Sequence, residues 1–419
     1  MNFKCSAVEG ASRNSLILLA VISLGCAAQP LTREQEDELR GKIRSALFVP
    51  ARLPALDARV HGRFRPAPGV VAERITYNTL LGLRVTAVLY LPEARKDKVP
   101  ALIVVNGHGG DKYSWYAWWS GVAYARGGAA VLTYDPIGEG ERNIERKSGT
   151  RAHDVVQSPP ELGRRMGGLM MADVMQAVSY ITSRPEVDAR RIGAMGYSMG
   201  SFVLSLACAV EMRLRACVLT GGGNLDGPEG YWDRSKPMCQ GIPYRSLSFL
   251  GDRPAVIYAL HAARGPTFVY NGLQDSTVYI TSHGPDFFVD LHRRTARIHG
   301  GTDGVFEYEF TTGAHRPYLV TKPVVRWLER HLDFPNWTEA EIAALPVTHI
   351  GKWARAGAVE LDPLYAGEER EGGTPALGES VPAPRRGDLH VFPPEQWERM
   401  RGRLTYEAWL TAARAQLGR

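Results

Sequence analysis

Three residue types that together make a hydroxyl nucleophilic recur in this chain in a fixed order: Ser198 in "GYSMG", Asp275 in "NGLQDSTV" and His315 in "TTGAHRPY". A serine hydroxyl attacks an acyl carbon only when a base takes its proton. An imidazole is such a base when a carboxylate holds its tautomer and stabilises the imidazolium. Ser198 is therefore read as nucleophile, His315 as general base and Asp275 as the orienting acid. A Gly-x-Ser-x-Gly string alone is weak evidence in a chain with 44 glycines. Its surroundings decide.

Ser198 follows the strand-like run "RRIGAMGY" and opens the helix-like run "MGSFVLSLACAV". A turn this tight needs Gly196 and Gly200, because side chains there would meet the adjoining strand and helix. The Met199 amide then lies at a helix N-terminus, aimed where a tetrahedral oxyanion forms. A second donor is expected from the loop "NGHGGDK", with Gly110 as the choice and His108 in a structural hydrogen-bonding role. Asp275 and His315 each follow a strand, so both reach the carboxyl edge of a sheet, where open α/β folds bind ligands. Asp303 precedes a strand and falls at the opposite edge; His283, His292 and His299 read as surface residues on or around a helix.

The elements that must position these groups alternate. "ERITYNT" and "LRVTAVLYLP" suggest an antiparallel hairpin, and "PALIVVNG" is a strand buried on both faces. Helices and strands then follow in turn as far as "RPYLVTKPVVRWLERHL". The pattern predicts an α/β fold with a mostly parallel central sheet, antiparallel N-terminal edge strands and helices on both faces. The predicted organisation is a signal peptide over 1–28, an N-terminal helix and Pro-marked linker over 29–72, and a catalytic domain over 73–335 carrying an insertion near 221–252. A C-terminal extension over 336–419 packs on that domain and ends in one helix, "PPEQWERMRGRLTYEAWLTAARAQLG".

The 419 residues carry a net charge of +6 without a basic run or a basic stripe interleaved with aromatics, which argues against a nucleic-acid partner. Lys4 and Arg13 precede the apolar run "LILLAVISL", too short to span a bilayer and followed by small residues, which predicts export with cleavage after Ala28. A lipid anchor at Cys26 is the lesser alternative, since Ser23 stands where a lipoprotein box carries Leu. Cys208, Cys217 and Cys239 then remain. Cys208 reads as a buried thiol, one disulfide among the three is left unassigned, and no spacing suggests a metal. The oligomeric state is left open.

Taken together, "NGHGGDK", "YDPIGEGER", "RPEVDARRIGAMGYSMG", "NGLQDSTV" and "GAHRPY", spanning Asn106 to Tyr318, resemble the α/β-hydrolase superfamily. Within it the chain resembles secreted acetyl xylan esterases and cephalosporin-C deacetylases, with dienelactone hydrolase more distant. The glucuronoyl esterases resemble it less, since they carry Arg where this chain has Met199. The resemblance implies a Ser-Asp-His triad, acyl-enzyme chemistry, and no metal or cofactor. It places the roles on Ser198, Asp275 and His315. The expected substrate is a small-molecule or carbohydrate ester with a short acyl group. The alternatives are an amidase, peptidase or acyltransferase on the same triad, or a non-catalytic binding protein.

Candidate substrate contacts are Tyr231 and Trp232 in the insertion, Trp115 in the helix after the oxyanion loop, and Arg142 in "DPIGEGER". Tyr116, Trp118, Trp119 and Tyr124 cover nearly all faces of the same helix as Trp115, so most of that group is expected to pack.

Overall fold

Runs such as "PALIVV", "AVLTY" and "ACVLT" have no polar alternation because both of their faces are covered. In the computed structural model they are central strands. The structure describes residues 30–155, 158–225, 239–278, 280–301, 305–359, 361 and 374–417. The expected signal peptide, with Cys26 and Ala28, lies outside them, as do Tyr231, Trp232 and Asp303. Among the described residues no helix is long and apolar enough to cross a membrane.

The strands are β1 (Arg59–Ala67), β2 (Val70–Asn78), β3 (Arg84–Pro92), β4 (Val99–Val105), β5 (Ala130–Tyr134), β6 (Val187–Tyr197), β7 (Ala216–Thr220), β8 (Thr267–Gly272) and β9 (Glu307–Thr311). They form one sheet in the order β1-β2-β3-β5-β4-β6-β7-β8-β9. β1, β2, β3 and β5 pair antiparallel in succession; from β5 through β9 every pairing is parallel. The sheet is therefore the expected one, but its edge is one strand wider. Residues 59–67, expected as linker, form β1 against β2, and Pro66 falls in a register irregularity of that edge strand, where a missing amide costs least.

Helices α1 (Arg33–Ala46), α2 (Trp115–Arg126), α3 (Pro160–Ser183), α4 (Met199–Val210), α5 (Gly241–Arg245), α6 (Arg253–Ala262), α7 (Ile280–His299) and α8 (Lys322–Leu332) complete the α/β core. One apolar core joins α1, α3, α4, α6 and α7 to one face of the sheet. A second joins α2 and α8 to the other. Cys208, at the end of α4, and Cys217, in β7, form a disulfide, so Cys208 is not a free thiol; Cys239 remains free and buried.

The C-terminal extension holds α9 (Glu339–Ala344), β10 (Val347–His349), α10 (Ile350–Gly357), β11 (Pro375–Leu377), α11 (Arg386–Leu389), α12 (Pro394–Met400) and α13 (Tyr406–Arg414). Ile350, Leu377 and Leu389 join the α2 core, and Tyr406 and Trp409 join the α3 core. The single terminal helix expected from sequence is broken. A 3-10 turn at Arg401–Arg403 separates α12 from α13, and the Thr405 side chain caps α13 by accepting from the Ala408 amide.

Candidate active site

Ser198 occupies the turn between β6 and α4 with φ 53° and ψ −117°, a conformation that a non-glycine residue adopts only under constraint. Its neighbours explain how the constraint is met. A Cβ on Gly196 would stand 2.5 Å from the Gly200 carbonyl oxygen, and one on Gly200 only 2.1 Å from that of Val105. Both glycines are required by close backbone approach. The Ser198 amide donates to the Thr220 carbonyl at 2.9 Å, and the Ser201 hydroxyl ties Gly196 and Thr220 together from below. Tyr197 and Met199 are buried, whereas Ser198 is part-exposed.

The loops after β8 and β9 bring the other two groups to this edge. His315 Nε2 lies 2.9 Å from Ser198 Oγ, and His315 Nδ1 lies 2.7 Å from Asp275 Oδ2. A carboxylate can only accept, so Nδ1 carries the proton and Nε2 presents its lone pair to the serine hydroxyl. Asp275 is fully buried, and its other oxygen accepts the Thr277 and Val278 amides at 2.9 and 3.1 Å. Gly272 is required here as well, because a Cβ on it would meet the Gly313 carbonyl oxygen at 2.2 Å.

The amide expected as second oxyanion donor, that of Gly110, is engaged within its own loop. It donates to the Gly107 carbonyl at 3.1 Å, and a side chain at Gly110 would point at the Tyr116 hydroxyl. At Gly107 this loop runs against the serine turn, where a Cβ would lie 3.2 Å from Ser198 Cβ. A cavity of about 70 Å³ opens at Ser198, and His108 and Met199 line it while Gly110 does not. Among the described residues the His108 and Met199 amides have no backbone acceptor, so this pair is available to an oxyanion. A larger groove, about 730 Å³, lies at the opposite edge among Arg95, Lys98, Val99 and Arg191, and neither a serine, a cysteine nor a histidine lines it. Size does not locate the chemistry here.

Trp115 and Arg142 are not brought to the cavity. Trp115 is buried in the α2 core with Tyr116, Trp118, Trp119 and Tyr124. The extension occupies the outer face of that helix: Trp118 Nε1 donates to the Pro382 carbonyl and Trp119 Nε1 to that of Leu377. Arg142 is fully buried, paired with Asp173 at 2.5 Å and donating to the Asp135 carbonyl at 3.1 Å. Burial pushes the Asp173 carboxyl up, with Arg142 pulling it back.

The "YDPIGEGER" stretch instead braces the oxyanion loop. Lys112 pairs with Asp135 and, at 2.9 Å, with Glu141. Burial pulls the Lys112 ammonium down, but Asp135 and Glu141 outweigh it and its pKa rises. Glu141 also accepts the Val391 and Phe392 amides at 2.7 and 3.0 Å, while Trp397 Nε1 donates to its carbonyl at 2.9 Å.

One cluster at this site has no signature in the sequence. His108, His153, Asp154 and Cys239 converge beside Met199, although they are far apart in the chain, apart from the adjacent His153 and Asp154.

A sheet of this order, with a serine elbow, a histidine and an aspartate at its carboxyl edge, defines an α/β-hydrolase. Residues 55–220 match the model of the acetyl xylan esterase family, and residues 161–334 that of the prolyl oligopeptidase family. Each match covers less than half of the chain, and together with the fold they support an acetyl xylan esterase-like α/β-hydrolase assignment. YtaP of Bacillus subtilis is 32% identical over 91 residues, 22% of this chain and 29% of that protein. PA2218 of Pseudomonas aeruginosa is 29% identical over 147 residues, 35% of each. The chain thus spans about a third of the length of these curated relatives. Among solved structures, the methylesterase BT1017 superposes with a TM-score of 0.56 at 20% identity, over 91% of this chain and 73% of that one. A glucuronoyl esterase from Solibacter usitatus gives 0.50 at 16%, over 71% and 92%. At these identities the structures speak for the fold.

Proposed function

We propose that the protein is an exported serine carboxylic-ester hydrolase that removes short acyl groups, acetyl foremost, from a carbohydrate. The observation that carries the reading is the continuous hydrogen-bonded line from Ser198 Oγ through His315 to Asp275, opening on a cavity of about 70 Å³. His315 Nε2 takes the serine proton as Oγ attacks the ester carbonyl. The tetrahedral oxyanion is held by the Met199 and His108 amides, and His315 returns the proton to the leaving alcohol. Water, deprotonated by the same imidazole, then releases the acid from the acyl-enzyme. Asp275, with both oxygens engaged, keeps the imidazole in the one tautomer that can do this.

The small cavity favours a short acyl group, and the acetyl xylan esterase match favours a sugar as the alcohol. Export rests on the leader read in residues 1–28 and accords with the Cys208–Cys217 disulfide. The prolyl oligopeptidase match favours amide cleavage as a second reading.

Hydrolysis of p-nitrophenyl esters of increasing chain length, of acetylated xylan and of matched anilides tests both readings, with Ser198→Ala alongside. Acetyl ester turnover that vanishes in the variant is expected. Equal turnover by the variant overturns the mechanism, turnover of long chains alone overturns the acyl assignment, and anilides cleaved as fast as esters favour the second reading.

A further inference from the structure

Beside the serine, the structure places four metal-binding side chains around one point. His108, His153, Asp154 and Cys239 each offer one ligand atom, and these atoms all lie within 4.8 Å of one another. His108 Nε2 is 2.9 Å from Asp154 Oδ1 and 3.4 Å from Cys239 Sγ. His153 supplies the independent sign of a ligand. It is fully buried, and its Nδ1 donates to the Ile137 carbonyl at 2.8 Å, which leaves a lone pair on Nε2. That Nε2 has no hydrogen-bond partner among the described residues and faces the cluster, 4.0 Å from Asp154 Oδ1. Metal-ligating histidines are held in just this way, with the other ring nitrogen donating to a backbone carbonyl so that the ligating one is fixed in tautomer and direction.

From this geometry we infer a binding site for one zinc-class divalent cation, held by His153 Nε2, His108 Nε2, Asp154 and the Cys239 thiolate. Two imidazoles, a carboxylate and a thiolate suit tetrahedral Zn²⁺, and are too soft and nitrogen-rich for Mg²⁺ or Ca²⁺. Four protein ligands leave no open position, so the ion is structural rather than the source of a nucleophile. Its place makes it a clamp. It joins the loop that carries the His108 amide to the 153–154 turn and to Cys239, whose sulfur lies 3.8 Å from Met199 Sδ. The inference stands on these four residues and does not depend on which ester is cleaved.

The test uses the full chain purified without a histidine tag, stripped with a chelator and dialysed against Zn²⁺, with bound metal measured by mass spectrometry. About one equivalent per chain and a thermal midpoint raised by Zn²⁺ are expected; His153→Ala is expected to lose both. Co²⁺ in place of Zn²⁺ should give tetrahedral visible bands and a thiolate charge-transfer band, the latter absent from Cys239→Ser. Because His153→Ala could fail to fold, the wild-type Co²⁺ spectrum and zinc count decide independently. Wild-type protein that retains no Zn²⁺ after dialysis, or a Co²⁺ spectrum unchanged by Cys239→Ser, overturns the site.

Discussion

Glu141 and Lys112 form an ion pair of 2.9 Å in which neither side chain is more than 3% exposed. Lys112 belongs to the loop after β4 that brings His108 to the cavity at Ser198, and Glu141 is bound by amides from the far end of the chain. Removing one partner of a buried pair strands the other charge. Glu141→Ala should cost about 3 kcal/mol, at the low end for such pairs because Lys112 keeps Asp135. Urea unfolding measures it, and a loss under about 1 kcal/mol would show that water answers the charge instead.

Asp275→Asn should leave the fold intact and lower kcat by about 10⁴, because an amide at Oδ2 no longer selects the tautomer that presents Nε2 to Ser198. Steady-state kinetics on p-nitrophenyl acetate, with circular dichroism to check folding, gives the answer. A loss of tenfold or less would remove Asp275 from the proposed mechanism.

Gly200→Ala places a methyl 2.1 Å from the Val105 carbonyl oxygen, against backbone that cannot rotate away. A destabilisation of about 1–3 kcal/mol and a displaced Ser198 are expected, so activity should fall further than stability. Gly402→Ala, with open space around it, is the control and should be near neutral.

His261 gives the fold a pH dependence remote from the site. Its Nε2 donates to the Ser205 carbonyl at 2.6 Å and its Nδ1 accepts from the Thr267 hydroxyl at 2.9 Å, the neutral form. Burial, aided by the charge of Arg40, pushes its pKa down to about 4. A base lowered in the fold contributes stability that is full above its unfolded value and is lost as pH falls through the window from about 6.5 to 4. Between pH 6.5 and 4.5 the wild type should lose roughly 2 kcal/mol more than His261→Gln. Parallel slopes in urea melts at several pH values would contradict this.

What could be read beforehand followed from local constraint. Gly196, Ser198 and Gly200 are neighbours in the chain, and Asp275 and His315 each come just after a strand, so short-range pattern alone brings all three to one edge. In the loop after β4, composition makes the Gly110 amide look free. The turn bond to Gly107 that occupies it is set by backbone geometry, which composition does not show. Trp115 and its neighbours could not be sorted into contact and core, because the groups covering Trp118 and Trp119 are the Pro382 and Leu377 carbonyls, some 260 residues further along. The same distance hid β1's pairing less and the His108 cluster more: a strand pairs with its neighbour, whereas Cys239 reaches His108 from 131 residues away.

The reach of Glu141 across the molecule also bears on when the enzyme can exist. The Val391 and Phe392 amides answer the Glu141 carboxylate, and Trp397 its backbone carbonyl, from some 250 residues further along. A chain broken off before Val391 would still hold Ser198, Asp275 and His315 but would lack the two amides and the indole that tie Glu141 to the end of the fold.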